Sequence, residues 1–401
     1  MQWKAELSDV WILKSLFQTS FPWRNNPVAE PFKVFIVDDS LIFRQIVRQA
    51  CVCIPNVEIV GSSGDGRQAI QKIQELQPDL VTLDLEMPVF SGLEVLKAID
   101  KTKCHSKFIM LSSVTQAGAK ETIECLNAGA LDFILKPQGS SREENMQKLI
   151  KEISARVKLI QDHVHHHVEP TKQPVSKPAA VVPSSSPKVV MASPVDNVCP
   201  SNLGWLSDQG VVGIGVSTGG PASLKQVIPH FPRDFPVPIL IVQHMPPIFT
   251  KSLAQNLNQQ SPLEVKEAEQ GEKVCKGVVY IAPGGLQMRV ANDGVHKVIE
   301  LTEDPPENSC RPAVDYLFRS LVKEYGSKTL GVIMTGMGSD GFLGAQAIRK
   351  AHGKVFVQDQ ETCVVYGMPR FPTEAGIVDA ILPLHQISQA VQRATTQECF
   401  V

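Results

Sequence analysis

Short apolar runs that stop abruptly on polar residues, each followed by apolar positions at helical spacing, recur along most of this chain. Phe32 to Val37 ends on Asp38-Asp39-Ser40, and Leu41, Ile42, Ile46 and Val47 then fall three to four apart. Leu80 to Leu83 ends on Asp84, Phe108 to Leu111 on Ser112-Ser113, and Phe133 to Leu135 on Lys136-Pro137. Helical periods over Gly66 to Leu76 and Gly118 to Ala128 lie between them, and Asn145 to Ile160, with Leu149, Ile150, Ile153 and Val157 on one stripe, reads as a closing helix. Unalternated strands separated by amphipathic helices predict an α/β fold with a doubly wound parallel sheet, whose functional groups gather at the carboxyl ends of the strands.

A second series begins further on. Val211-Val212 leads into Gly213-Ile214-Gly215-Val216-Ser217-Thr218-Gly219-Gly220-Pro221, after which Leu224, Val227, Ile228 and Phe231 follow at helical spacing. Val237 to Val242 ends on Gln243-His244, and Leu330 to Met334 ends on Thr335-Gly336-Met337-Gly338-Ser339-Asp340-Gly341. These runs predict a second doubly wound parallel-sheet domain. The expected organisation is an extension over residues 1–30, a first domain over 31–160, a linker over 161–207 and a second domain over 208–397. From about His163 to Pro200 the chain turns to Pro, Ser, Lys and Val, with seven prolines from Pro170 to Pro200. Such a segment cannot bury enough apolar surface to order itself, and extended at about 3.1 Å per residue it would reach roughly 110 Å. His163, His165, His166 and His167 read either as a solvated tract or as transition-metal ligands.

Composition narrows the function. With 401 residues, 43% hydrophobic and 20% charged, the chain can bury more than one core, and its formal net charge of −2 gives no basic field for nucleic acid. Nine cysteines occur without a C-x-x-C pair, so neither a zinc site nor a disulfide framework is indicated, and a reducing cytoplasm fits. No run of about 18 apolar residues is present, which predicts no transmembrane segment. The start of the chain, with Trp3, Trp11, Phe17, Phe21 and Trp23, lacks the layout of a secretory signal and reads as a disordered extension or a peripheral docking helix.

Two constellations carry chemistry. Asp38, Asp39 and Asp84, each just past a strand, would meet at one sheet edge, where hard oxygen ligands suit Mg²⁺ and Lys136 can balance the charge. Any one of these acids could simply cap a helix. Taken with Ser112 at another strand end, they read as a site. In the second domain Ser217, His244 and Asp340 follow three strands of one predicted sheet. A serine hydroxyl needs an imidazole to take its proton, and the imidazole needs an acceptor that fixes its tautomer. Gly215-x-Ser217-x-Gly219 matches a nucleophile elbow, but that fold places several strands before the serine and orders the residues serine, acid, histidine. The glycine spacing also departs from a dinucleotide fingerprint, and the next strand ends on Gln243-His244 where an acid would be needed for a ribose.

Residues 32 to about 155, through Val37-Asp38-Asp39-Ser40, Asp84-Leu85-Glu86-Met87-Pro88, Ser112, Phe133 and Lys136-Pro137, resemble a response-regulator receiver domain, flavodoxin-like in fold. The resemblance implies that Asp84 accepts a phosphoryl group from a chemotaxis histidine kinase. It further implies that Asp38, Asp39, Asp84 and the backbone carbonyl of Glu86 hold Mg²⁺, and that Ser112, Phe133 and Lys136 form the switch. Phe133 taken alone reads as a core aromatic.

Residues 211 to about 395 resemble the Rossmann-like catalytic domain of chemotaxis protein-glutamate methylesterases, the CheB type. The carrying stretches are Gly213 to Pro221, Ile239 to Thr250, Tyr280 to Gly285, Arg311-Pro312-Ala313-Val314-Asp315, Thr335 to Gly341 and Cys363 to Arg370. Departures lie at Phe371-Pro372-Thr373-Glu374 and in the aromatic extension. The resemblance implies a phosphorylation-activated hydrolase in which Ser217 attacks glutamyl methyl esters, and glutamine amides, on chemoreceptors, with no cofactor for the esterase. His244 and Asp340 would complete the triad, with the Thr218 and Met337 amides as candidate oxyanion donors, and the receiver would cover the cleft until phosphorylated. The competing expectation is a phospho-dependent receptor-binding scaffold without catalysis.

Overall fold

The protein is described from a computed structural model over residues 30–100, 102, 104–137, 141–166, 205, 206 and 209–395. The expectations for the aromatic extension, for His167 and for most of the proline-rich linker lie outside the described residues.

The first domain runs β1 (Phe32–Val37), α1 (Leu41–Val52), β2 (Val57–Ser63), α2 (Gly66–Leu76), β3 (Leu80–Asp84), α3 (Gly92–Ala98), β4 (Lys107–Ser112), α4 (Gln116–Asn127), β5 (Asp132–Leu135) and α5 (Arg142–His166). Its five strands are parallel in the order β2-β1-β3-β4-β5. β3 is buried at every position and β1 at all but Lys33, which is why they read as uninterrupted apolar runs. β2 is an edge strand in which only Ser63 is buried, so it carries no such run and the apolar pattern passes over it. Local chemistry sets the helix starts: the Asp65 carboxylate accepts the Arg67 N–H at 2.8 Å, and Ser91 with Glu94 forms a capping box.

The second domain runs β6 (Val211–Val216), α6 (Gly220–Val227), β7 (Ile239–Gln243), α7 (Phe249–Gln260), β8 (Glu264–Glu267), β9 (Val278–Ile281), β10 (Gln287–Asn292), β11 (Lys297–Thr302), α8 (Val314–Tyr325), β12 (Thr329–Ile333), α9 (Phe342–Lys350), β13 (Lys354–Gln358), α10 (Arg370–Glu374), β14 (Ala380–Leu382) and α11 (Leu384–Thr395). Seven strands form one sheet in the order β14-β13-β12-β6-β7-β9-β8, and every pairing is parallel. β10 and β11 make a separate antiparallel pair. With β6 between β12 and β7, the winding reverses beside β6, the position where open α/β sheets place their sites. The stretch around Phe371 forms the short helix α10, closed by an Arg370 Nε to Glu374 Oε1 bond of 2.7 Å.

Two boundaries differ from expectation. α5 continues through His166, past the last position of its buried Leu149, Ile153, Val157 and Ile160 stripe. Leu206, expected in the linker, is already buried on the second domain and donates its N–H to Ala394 O at 2.7 Å.

The domains are in direct contact. α4 lies against α6 and α7, Asn127 Nδ2 donates to Asn256 Oδ1 at 3.0 Å, and the Phe133 ring stacks on Phe249 with centroids 4.8 Å apart. One buried apolar cluster runs without a break from the first sheet into the second domain. A stacked aromatic pair contributes about 0.5–1.5 kcal/mol beyond its area. A double-mutant cycle on Phe133→Leu and Phe249→Leu, read by denaturant unfolding, should return a coupling of about that size. Strict additivity would mean that the rings do not meet in solution.

Candidate active site and acidic pocket

At the carboxyl edge of the first sheet, Asp38, Asp39 and Asp84 bring one carboxylate oxygen each within 4.8 Å of one another. Lys136, just past β5, places Nζ 2.7 Å from Asp84 Oδ1 and 3.2 Å from Asp38 Oδ2, and lies over the Phe43 ring. Asp38 and Asp84 are almost wholly buried. Burial, the Asp38 charge beside it, and only partial relief from Lys136 and the Glu86 N–H push the Asp84 carboxyl up to about 6. Asp38 is likewise raised, chiefly by burial.

These residues fit a divalent cation. Asp38 Oδ2 is a buried acceptor without a hydrogen-bond donor, and Lys136 Nζ, 3.2 Å away, is its ion-pair partner. An oxygen-only donor set with one unsatisfied buried lone pair suits Mg²⁺. The Glu86 side chain is exposed and accepts from the hydroxyl of Ser113, just past β4. Ser112 is buried and shares a 2.7 Å hydrogen bond with Thr122 of α4. Phe133 is buried at the domain boundary on Phe249.

In the second sheet, register does the positioning. Val216 pairs with Gln243 and Gly215 with Ile333, so the residues just beyond β6, β7 and β12 emerge side by side. The Ser217 N–H donates to Thr335 O at 3.0 Å and the His244 N–H to Val216 O at 3.1 Å. Gly219, at φ 76°, turns the chain into α6, a conformation that disfavours a side chain. A Cβ on Gly336 would stand 2.8 Å from Ser217 Cβ and 2.3 Å from Met368 Sδ, so only glycine lets that turn close on the serine.

His244 Nε2 and Asp340 Oδ2 are 2.7 Å apart. Asp340, 1% exposed, also accepts N–H groups from Val314 at 2.7 Å, Asp315 at 3.0 Å and Gly341 at 3.0 Å, and the Asn308 amide at 3.0 Å. Ser217 sits half-buried at the adjacent strand end, and among the described residues the His244 ring bonds to Asp340 and not to the Ser217 hydroxyl. Neither the Thr218 nor the Met337 N–H donates to a protein group among the described residues, which leaves both amides able to receive an oxyanion. A cleft of about 640 Å³ opens beside His244, and its other walls include Phe133, Lys136 and Pro137 of the first domain.

The comparisons with known proteins bear on both halves. Residues 212–391 match the family described as CheB methylesterase, and residues 34–150 match the response regulator receiver domain. A protein-glutamate methylesterase/protein-glutamine glutaminase of Desulfotalea psychrophila is 40% identical over 90% of this chain and 97% of its own length. A protein of the same name from Thermotoga maritima is 40% identical over 89% and 96%. This chain belongs to the CheB methylesterase family. The solved catalytic domain of Thermotoga maritima CheB is 46% identical, covering 46% of this chain and 97% of that one, with a TM-score of 0.45.

Within this CheB-family chain, three further side chains hold the site; Gln243 and Asp315 lie inside stretches that carry the resemblance, Asn308 lies outside them, and residue chemistry alone points to none of the three. Gln243, a buried polar end to an apolar strand, donates from Nε2 to Ser217 O at 3.0 Å and His244 O at 3.2 Å, tying two of the strand ends together. Asn308 looks like turn chemistry, and Asp315 like a first-turn helix acid. A physical signal is that Asp315 falls on the apolar face of α8, between Val314 and Leu317, where an unpaired charge would be costly.

The acidic pocket yields a signed pH effect. A carboxyl raised above its unfolded value contributes stability that is fully present below about pH 3.8 and is lost as pH rises through about 6, so the metal-free pocket loses stability across that window. Mg²⁺ should therefore raise the thermal midpoint clearly at pH 7 and very little at pH 5, where Asp84 is protonated. Equal gains at both values, or none in the wild type at pH 7, would contradict the assignment.

Proposed function

We propose that this chain is a phosphorylation-activated protein-glutamate methylesterase, also hydrolysing glutamine side-chain amides, that acts on chemoreceptors in the cytoplasm. The observation that carries the catalytic assignment is the 2.7 Å contact of a buried, heavily hydrogen-bonded Asp340 with His244, one strand from Ser217. With Nε2 committed to Asp340, Nδ1 is the nitrogen left to take the Ser217 proton. The Ser217 oxygen then attacks the glutamyl ester carbonyl, and the Thr218 and Met337 amides face the developing oxyanion. The proton passes to the departing methoxide, methanol leaves, and water releases the acyl group by the same steps reversed.

Charge at His244 sets the pH dependence. Burial opposes its protonation, but the Asp340 hydrogen bond, together with Cys310 beside it, outweighs that and raises the imidazole to about 9. A general base must be neutral, so the esterase rate should climb as pH rises through about 9 and level off above it.

In the receiver, Asp38, Asp39, Asp84 and the Glu86 carbonyl would hold Mg²⁺, which when bound offsets the charge of an incoming phosphoryl group. Asp84 accepts that group from the chemotaxis histidine kinase, and Lys136 pairs with it. Ser112 leaves Thr122 to reach the phosphoryl oxygens, and Phe133 follows, giving up its stack on Phe249. That loosens the receiver from the cleft beside His244.

Methanol release from methylated receptor membranes tests this, with a small phosphodonor present or absent. Wild type should release methanol faster with the donor, Asp84→Asn should not respond, and Ser217→Ala should lose on the order of 10⁶-fold. A wild type no better than Ser217→Ala would leave only the receptor-binding scaffold.

A further inference from the structure

Behind the Ser217, His244 and Asp340 group lies a second shielded carboxylate for which that reading has no task. Asp315, in the first turn of α8, is 1% exposed. Its Oδ1 accepts the Gly344 N–H of α9 at 2.6 Å, and its Oδ2 accepts from Asn308 Nδ2 at 3.1 Å. The same Nδ2 donates to Asp340 Oδ1 at 3.0 Å. A primary amide nitrogen has two hydrogens, and here each carboxylate takes one. With acids on both sides of it, the nitrogen rather than the oxygen must face them, so the orientation of Asn308 follows from its partners.

Two carboxylates on one amide, both kept from water and only Asp340 in contact with His244, cannot both hold their charge cheaply. Donor count separates them. Asp340 accepts five hydrogen bonds and Asp315 two. Burial pushes Asp315 up to about 6, the Asp340 charge adds to this, and the Gly344 and Asn308 donors and Arg319 work against it; burial also opposes the charge on Asp340, but the His244 bond and charge and the Asp315 and Val314 amides outweigh it and hold Asp340 low. The ionisable groups around the pair are His244 just past β7, Cys310 from the turn holding Asn308, and Arg319 on α8, which is itself paired with Glu307 of that turn. Asn308 and Ser309 hold φ of 50° and 62°, so the turn accepts a backbone cost to bring the amide in.

We propose that Asn308 and Asp315 are positioning residues of the esterase centre: the Asn308 amide fixes Asp340 with Oδ2 toward His244, and the charge on Asp315 sets how strongly His244 holds its proton. This rests on the triad reading above. Ionised Asp315 adds negative charge near the imidazolium and favours it. Removing that charge makes His244 a weaker holder of its proton, so the base becomes competent at lower pH.

The test is methanol release by full-length protein with phosphodonor present, followed across pH. Asp315→Asn should move the rising limb down by about one pH unit. Asn308→Gly, which tolerates the positive φ but lacks the amide, should lower kcat about tenfold or more with KM unchanged. Asn308→Ser, keeping one donor, should recover part of that loss. A limb and a kcat that stay at the wild-type values in Asp315→Asn and Asn308→Gly overturn the proposal, and should Asp315→Asn not fold, the kcat and KM of Asn308→Gly decide alone. Ser217→Ala separates the two ideas: if it is inactive while those variants match wild type, only the positioning role falls, whereas activity surviving in Ser217→Ala removes the triad reading and this with it.

Discussion

A carboxylate that water hardly reaches, Asp340, must remain charged, and the esterase domain is arranged to let it. Moving such an ion out of water costs several kcal/mol unless its lone pairs are filled. Here they are filled by His244, by Asn308, by Gly341 and by the first amides of α8, where the helix dipole also favours negative charge. These donors come from four separate stretches of chain. The strand ends after β7 and β12, the start of α8 and the Glu307–Cys310 turn therefore cannot shift independently without leaving a buried charge short of partners. Gln243 extends the same tie to β6 through the carbonyl of Ser217.

The receiver solves the same problem differently. Asp84 has one cation, Lys136, and few amides, so its carboxylate stays expensive. Its link to the esterase is apolar: Ser112 is tied to α4, and Phe133 stacks on Phe249 at the start of α7. The residue before Phe249, Ile248, has φ 76°, a costly backbone state for a β-branched side chain, in the loop that begins at His244. Packing from the receiver thus bears on the segment that carries the imidazole.

How much of this could be read in advance depended on where each signal resides. β1, β3, β6, β7 and β12 are buried nearly throughout, so their apolar runs marked them, and the residues just past them were legible as strand ends. β2 and the short strand β14 lie at sheet edges with partly exposed faces and gave no such run. Ser217, His244 and Asp340 could be singled out because their chemistry is complementary and their strands were visible. Asn308 could not, and Asp315, though it closes the Arg311 to Asp315 stretch of the resemblance, gave no hint of its partners, since an asparagine in a turn and an acid in a first helical turn are ordinary until folding closes them around Asp340. The bond between Ser112 and Thr122 was hidden for the same reason, as was the docking of Leu206.

The most direct measurement is covalent labelling of full-length protein with a serine-directed fluorophosphonate, followed by intact mass and peptide mapping. A hydroxyl activated by an imidazole that is itself held by a buried carboxylate should give one adduct, on Ser217, forming about 10²- to 10⁴-fold more slowly in His244→Gln. An adduct on another serine, or equal rates in the two proteins, would contradict it.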